Sequence, residues 1–98
     1  MNEYTIVVAD NELLSGVCGI NDRNLKLIED YLGSPVYTRG NEISIETQDS
    51  VLCEKFQFIV ERIIDELNFG NKNSEDIVIS VLNTQKKVNM SEISISIP

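Results

Sequence analysis

Gly19-Ile20-Asn21-Asp22, followed at once by Arg23 and one helical turn later by Lys26, is the cluster in this 98-residue chain whose types and spacing best suit a chemistry. A glycine lets backbone come close to a ligand. A helix starting just after it offers unpaired N–H groups and the positive end of its dipole. Arg23 and Lys26 add two cations on that side, and Arg39 is a third candidate. The group such an arrangement would hold is phosphate, with Gly19, Ile20 and Asn21 supplying backbone. Asp22 opposes this, because its carboxylate repels phosphate. The plainer role of Asn21 and Asp22 is to cap the helix that follows. Asn24 is a helix-interior residue of poor propensity, which suggests a bond to the preceding turn rather than to a ligand.

Other chemistries lack their residues. Histidine is absent, which removes the usual general base near neutral pH and the commonest zinc ligand. No Gly-x-x-x-x-Gly-Lys-Ser/Thr occurs, so there is no phosphate-cradling P-loop. The serines, Cys18 and Cys53 have no histidine to activate them. Both cysteines sit in apolar helical contexts and read as buried free thiols. The carboxylates are scattered over wet helix faces and turns, with no calcium-loop pattern. We therefore expect no catalytic residue, no metal site and no cofactor site in this chain. Sixteen acidic against eight basic residues give a net charge of −8. That argues against a broad basic face, since Lys and Arg normally dominate nucleic-acid binding. No basic leader with an apolar run opens the sequence, and no stretch nears the ~20 apolar residues of a membrane span. The expectation is a reduced cytoplasmic protein with no membrane contact.

The elements that position the cluster follow from periodicity. Tyr4 to Ala9 reads as a strand, Asp10-Asn11 offers a cap, and Glu12 to Cys18 reads as a short helix with Leu13, Leu14 and Val17 inward. A second helix runs to Leu32, with Leu25, Ile28 and Leu32 as its stripe, widened by Leu27 and Tyr31. Gly33 suits its C-terminus and Pro35 forbids continuation. Val36–Thr38 and Ile43–Thr47 read as paired strands around a Gly40-Asn41 turn. Asp49 caps the longest helix, to about Asn68, with Leu52, Phe56, Ile59, Val60, Ile63 and Leu67 inward. Residues 71–74 read as a linker. Ser74 then caps a helix with Glu75 and Asp76 in its first turn, Lys86 and Lys87 in its last, and Ile77, Val78, Val81 and Leu82 inward. The alternation from Met90 to Ile97 predicts a final strand, with Ile93, Ile95 and Ile97 on one face as candidate interaction residues.

The order strand, helix, helix, strand, strand, helix is that of a type I KH domain. The fold class it predicts is α+β: two layers, a three-stranded antiparallel sheet covered by helices on one face. The segment also resembles the N-terminal, KH-like domain of PhoH-like (phosphate starvation-inducible) ATPases. The matching residues are Gly19, Asn24-Leu25, Glu29, Gly33, Arg39-Gly40-Asn41, Ile43 and Ile45. The resemblance covers Tyr4 to about Gly70 and, more loosely, reaches Leu82. It implies a KH-like domain over residues 1–70 and a linker helix and tail over 71–98, leading toward a P-loop ATPase domain. In KH domains a Gly-x-x-Gly loop between two helices admits phosphate. Here Asp22 stands where the second glycine would be. The implied function is accessory: the domain positions RNA or a partner for the ATPase. ATP and magnesium would belong to the full-length protein, which would hydrolyse ATP, while this stretch alone is no enzyme. The partners implied are its own ATPase domain, RNA and a second copy of the chain. The alternative is a protein–protein interaction or oligomerisation module with no nucleic-acid binding.

Overall fold

In the computed structural model, residues 3–70 and 73–95 are described, with side chains as far as Gln85. The elements are β1 (Glu3–Val7), α1 (Asn11–Cys18), a 3₁₀ turn (Ile20–Asp22), α2 (Arg23–Leu32), β2 (Val36–Arg39), β3 (Glu42–Glu46), α3 (Ser50–Phe69) and α4 (Ser74–Ile95). The strands form one antiparallel sheet in the order β1-β3-β2. Helices and sheet make an α+β fold of two layers with the β-α-α-β-β-α order of a KH-like domain, followed by α4.

Strand alternation sets the core. Tyr4, Ile45 and Val36 lie side by side across the sheet, as do Ile6, Ile43 and Thr38. Ile43 and Ile45, on the central strand, are wholly buried. Phe56, Ile59, Val60 and Ile63 of α3 pack in the same core, the Phe56 ring meeting the Tyr4 ring edge-on at 6.2 Å. On the other face Thr5, Ser44 and Tyr37 are aligned. Ser44 is nevertheless buried, and its hydroxyl and that of Thr5 are 2.8 Å apart. The Tyr37 hydroxyl donates to the Glu3 carboxylate.

The caps on α1 and α3 form where expected. Asp10 and Asp49 have extended backbones, and each side chain accepts from two N–H groups of the following turn. Gly33 ends α2 with φ 76°, its N–H bonded to Glu29 O at 2.7 Å. In the hairpin only Gly40 takes a positive φ, 59°. Asn41 does not share it, so the turn follows the pattern with glycine at the first central position.

Two expectations near the C-terminus are corrected. Asn73, not Ser74, caps α4: its side chain accepts from Asp76 N at 2.9 Å and its carbonyl from Ile77 N at 3.2 Å. Asparagine caps as well as serine, so the helix begins one residue earlier and Ser74 becomes its first residue. The alternating stretch from Met90 is helical through Ile95, and Ile97 lies outside the described residues. Neither glycine nor proline interrupts Ser74–Ile95, so a helix once started has nothing within that stretch to stop it. A strand there would need a neighbour to pair its backbone, whereas a helix satisfies its own groups. Lys86 and Lys87 consequently fall within α4 rather than in its last turn. Of the expected linker, residues 71–72 are also outside the described residues. Ile77, Val78, Val81 and Leu82 are buried in the common core, so the first half of α4 packs as part of the domain.

Candidate nucleic-acid interface

The loop between α1 and α2 is built from left-handed backbone. Gly19 has φ 76° and ψ 177°, and its N–H closes α1 on Ser15 O at 2.8 Å. Asn21 and Asp22 follow at φ 54° and 58°. Two consecutive left-handed non-glycine residues are uncommon, and each costs about 1–2 kcal/mol. Asn and Asp tolerate that region better than other side chains do. Asp22 thus takes the backbone form that a glycine would adopt there with less strain. The expected capping role of Asn21 and Asp22 is not realised: Asp22 sits at the N-cap of α2 and makes no side-chain cap bond. Capping needs an extended backbone that lets the side chain reach forward, as Asp10 and Asp49 have. The start of α2 is left without a side-chain acceptor.

Asn24 lies beneath this loop and is only 1% exposed. Its Nδ2 donates to Gly16 O at 3.0 Å and to Ser74 Oγ at 3.2 Å. The first bond ties α2 back to α1, the structural role expected of it. The second reaches α4, fifty residues away. Its Oδ1 is buried without a hydrogen-bond partner among the described residues. A Cβ added at Gly19 would lie 2.6 Å from Asn24 Cγ, so no side chain larger than hydrogen fits there without movement.

The loop divides the predicted cluster between two recesses. Asn21, Asp22 and Lys26 face a groove of about 430 Å³, with Leu25 in α2 and Val36 and Thr38 in β2. Gly19, Ile20 and Arg23 face a smaller recess of about 220 Å³ beside Ser74 and Glu75. Arg23 Nη1 is 3.8 Å from Glu75 Oε1, with Arg23 mostly exposed and Glu75 half-buried. Ile20 is 84% exposed at the loop tip. Arg39 is brought to neither recess: it ends β2, its guanidinium 6.0 Å from the Tyr37 ring centroid. The candidate interaction residues Ile93 and Ile95 lie on α4.

The groove has a feature that composition did not reveal. Glu46 N bonds Pro35 O at 2.9 Å, which fixes the register of β2 on β3. In an antiparallel ladder the bonded residues alternate. Tyr37 and Arg39 therefore bond β3, while the backbone groups of Val36 and Thr38 point to the free edge beside α2. Val36 N is held there by Glu29 Oε1 at 3.0 Å. The Thr38 N–H and the Val36 and Thr38 carbonyls line a mostly polar groove in which Leu25 and Val36 are the aliphatic residues, a lining suited to the hydrogen-bonding edge of a heterocycle. Its charge is mixed, with Lys26 against Asp22 and Glu29.

Burial pushes the Cys18 thiol above its ordinary pKa and the Asp22 charge adds to that, so it stays protonated near neutral pH. Cys53 is a half-buried free thiol. Among the described residues no group of three His, Cys, Asp or Glu is placed to hold a metal ion, and no helix is long and apolar enough to cross a membrane.

No family model and no curated protein sequence matches this chain. Two solved structures share its fold. One is Dim2p from Pyrococcus horikoshii, at TM-score 0.52 and 16% identity, over 84% of this chain and 49% of that one. The other is a protein of unknown function from Aeropyrum pernix, at TM-score 0.52 and 12% identity, over 98% of this chain and 55% of that one. The chain thus spans about half the length of each. At these identities the likeness is one of fold.

Proposed function

We propose that this chain is a KH-like module that holds a short stretch of single-stranded RNA in the groove between the loop, α2 and the free edge of β2. The finer reading is that it does so as the N-terminal domain of a PhoH-like ATP-binding protein, positioning RNA for the ATPase domain. The observation that carries the RNA reading is the left-handed loop, maintained by Asn21 and Asp22 although both are strained there. Strained backbone beside a helix start with no side-chain cap, next to an unpaired strand edge, is a costly arrangement with no evident use in packing. The assembly reading uses the last helix together with a final strand; the helix is α4, and the stretch read as a strand is helical through Ile95.

The acidic balance makes the expected affinity modest and salt-sensitive. If Lys26 and Arg23 each meet one phosphate, the logarithmic salt slope is about −1.4. Affinity for a labelled single-stranded RNA, read by fluorescence anisotropy, then falls about sevenfold between 50 and 200 mM salt. Lys26→Glu weakens binding and flattens the slope. Asp22→Gly relieves the strained backbone, removes a repelling charge and tightens binding. Affinity indifferent to salt and to both substitutions sinks the RNA reading and leaves the interaction module in its place.

The ATPase reading is tested separately, by phosphate release from ATP and magnesium. This chain alone hydrolyses no ATP above background, and the full-length protein does. Turnover by the isolated chain, or none by the full-length protein, overturns it.

A further inference from the structure

The residues that leave the loop and the residues that open α4 are paired one to one. Arg23 meets Glu75 and Asn24 meets Ser74. The first pair is solvated and worth little. The second is different, because Asn24 is almost wholly buried and its amide lies against Gly19. The loop is strained and has no side-chain cap of its own, so its shape must be held from outside. Asn24 does this from beneath, and its partner beyond α1 is Ser74.

We propose that the first turn of α4 is a latch that holds the left-handed loop in shape, with Asn24 and Ser74 as its positioning residues. By reciprocity, a ligand that prefers the held loop tightens the docking of α4, and a pull on α4 loosens the loop. This goes beyond the proposed function, and rests on it only for the identity of that ligand.

The test is amide hydrogen exchange on the whole chain. Ser74→Ala removes one partner of a buried donor. Exchange at the bonded N–H groups of Gly19, Asp22 and Arg23 is expected to rise about three- to tenfold. Ile43 and Ile45 in β3 should keep their rates, and Ser74→Thr, which retains the hydroxyl, should restore the loop. Unchanged loop exchange overturns the latch. So does a uniform rise across loop and sheet, which reports ordinary destabilisation. A single-stranded RNA that binds by anisotropy should slow exchange at Glu75, Asp76 and Ile77, and binding without that slowing also overturns the linkage. A loop loosened by Ser74→Ala in a chain that binds no RNA upholds the latch and removes the RNA reading instead.

Discussion

Gly19→Ala is expected to lower stability by about 2–6 kcal/mol, measured by chemical denaturation. Two effects add. At φ 76° and ψ 177° the backbone lies in a region essentially reserved for glycine, and an alanine there bears about 1–3 kcal/mol. Its Cβ would also lie 2.6 Å from Asn24 Cγ and 2.7 Å from Nδ2. Asn24 has little room to yield, being buried and bonded to both Gly16 O and Ser74 Oγ. Overpacking of that kind costs about 1–3 kcal/mol more. Against the usual 5–15 kcal/mol for a small domain, the upper end leaves much of the chain unfolded. Gly33→Ala separates the two effects. Gly33 shares the φ of 76° but has ψ 20°, the milder left-handed region, and a Cβ there meets nothing within 4 Å. It should show the left-handed penalty alone, about 1–2 kcal/mol. Equal losses at the two sites would mean that Asn24 moves aside freely and that the close approach holds nothing in place.

Legibility in the sequence followed the range of each rule. Asp10 and Asp49 were readable as caps because capping is decided within four residues. Gly33 and the Gly40 hairpin were readable for the same reason. Ile43 and Ile45 were readable as core because strand alternation is local. The loop was harder: Asn and Asp are favoured both as caps and in left-handed backbone, so their identity alone does not choose between the two. The end of α4 misled because Ser-Ile alternation says what a strand would look like and not whether a neighbouring strand is present. The groove was not readable at all. It exists because Pro35 redirects the chain so that β2 runs beside α2, and because the register leaves the backbone groups of Val36 and Thr38 pointing to the free edge. The partnership of Asn24 with Ser74 spans fifty residues, beyond any local pattern. Asn24 itself was conspicuous as a poor helix former in a helix, which is the one local trace such a contact leaves.

Asn24→Asp should turn that contact into a pH-dependent one. Gly16 O can only accept, so the Asn24 amide must present its N–H₂ there. An ionised carboxylate in its place would face a carbonyl at about 3.0 Å, nearly out of reach of water. An uncompensated buried charge of this kind costs about 3–5 kcal/mol, and that is the loss expected at pH 7. Burial would raise the introduced carboxyl's pKa in the folded state above its unfolded value of about 3.9. A raised folded pKa places the relative stability below pH 3.9, and it is lost as the pH climbs through the folded value. Once protonated, the acid resembles the amide in shape. Its O–H donates to Gly16 O, and the bond to Ser74 is the one forfeited, at about 1 kcal/mol. The gap between variant and natural chain should therefore be small near pH 3 and wide at pH 7. Taking the difference at each pH removes the titration of the sixteen natural carboxylates, which both proteins share. A gap that stays constant with pH would show the side chain escaping to water, and neither the support under Gly19 nor the latch to α4 would survive that result.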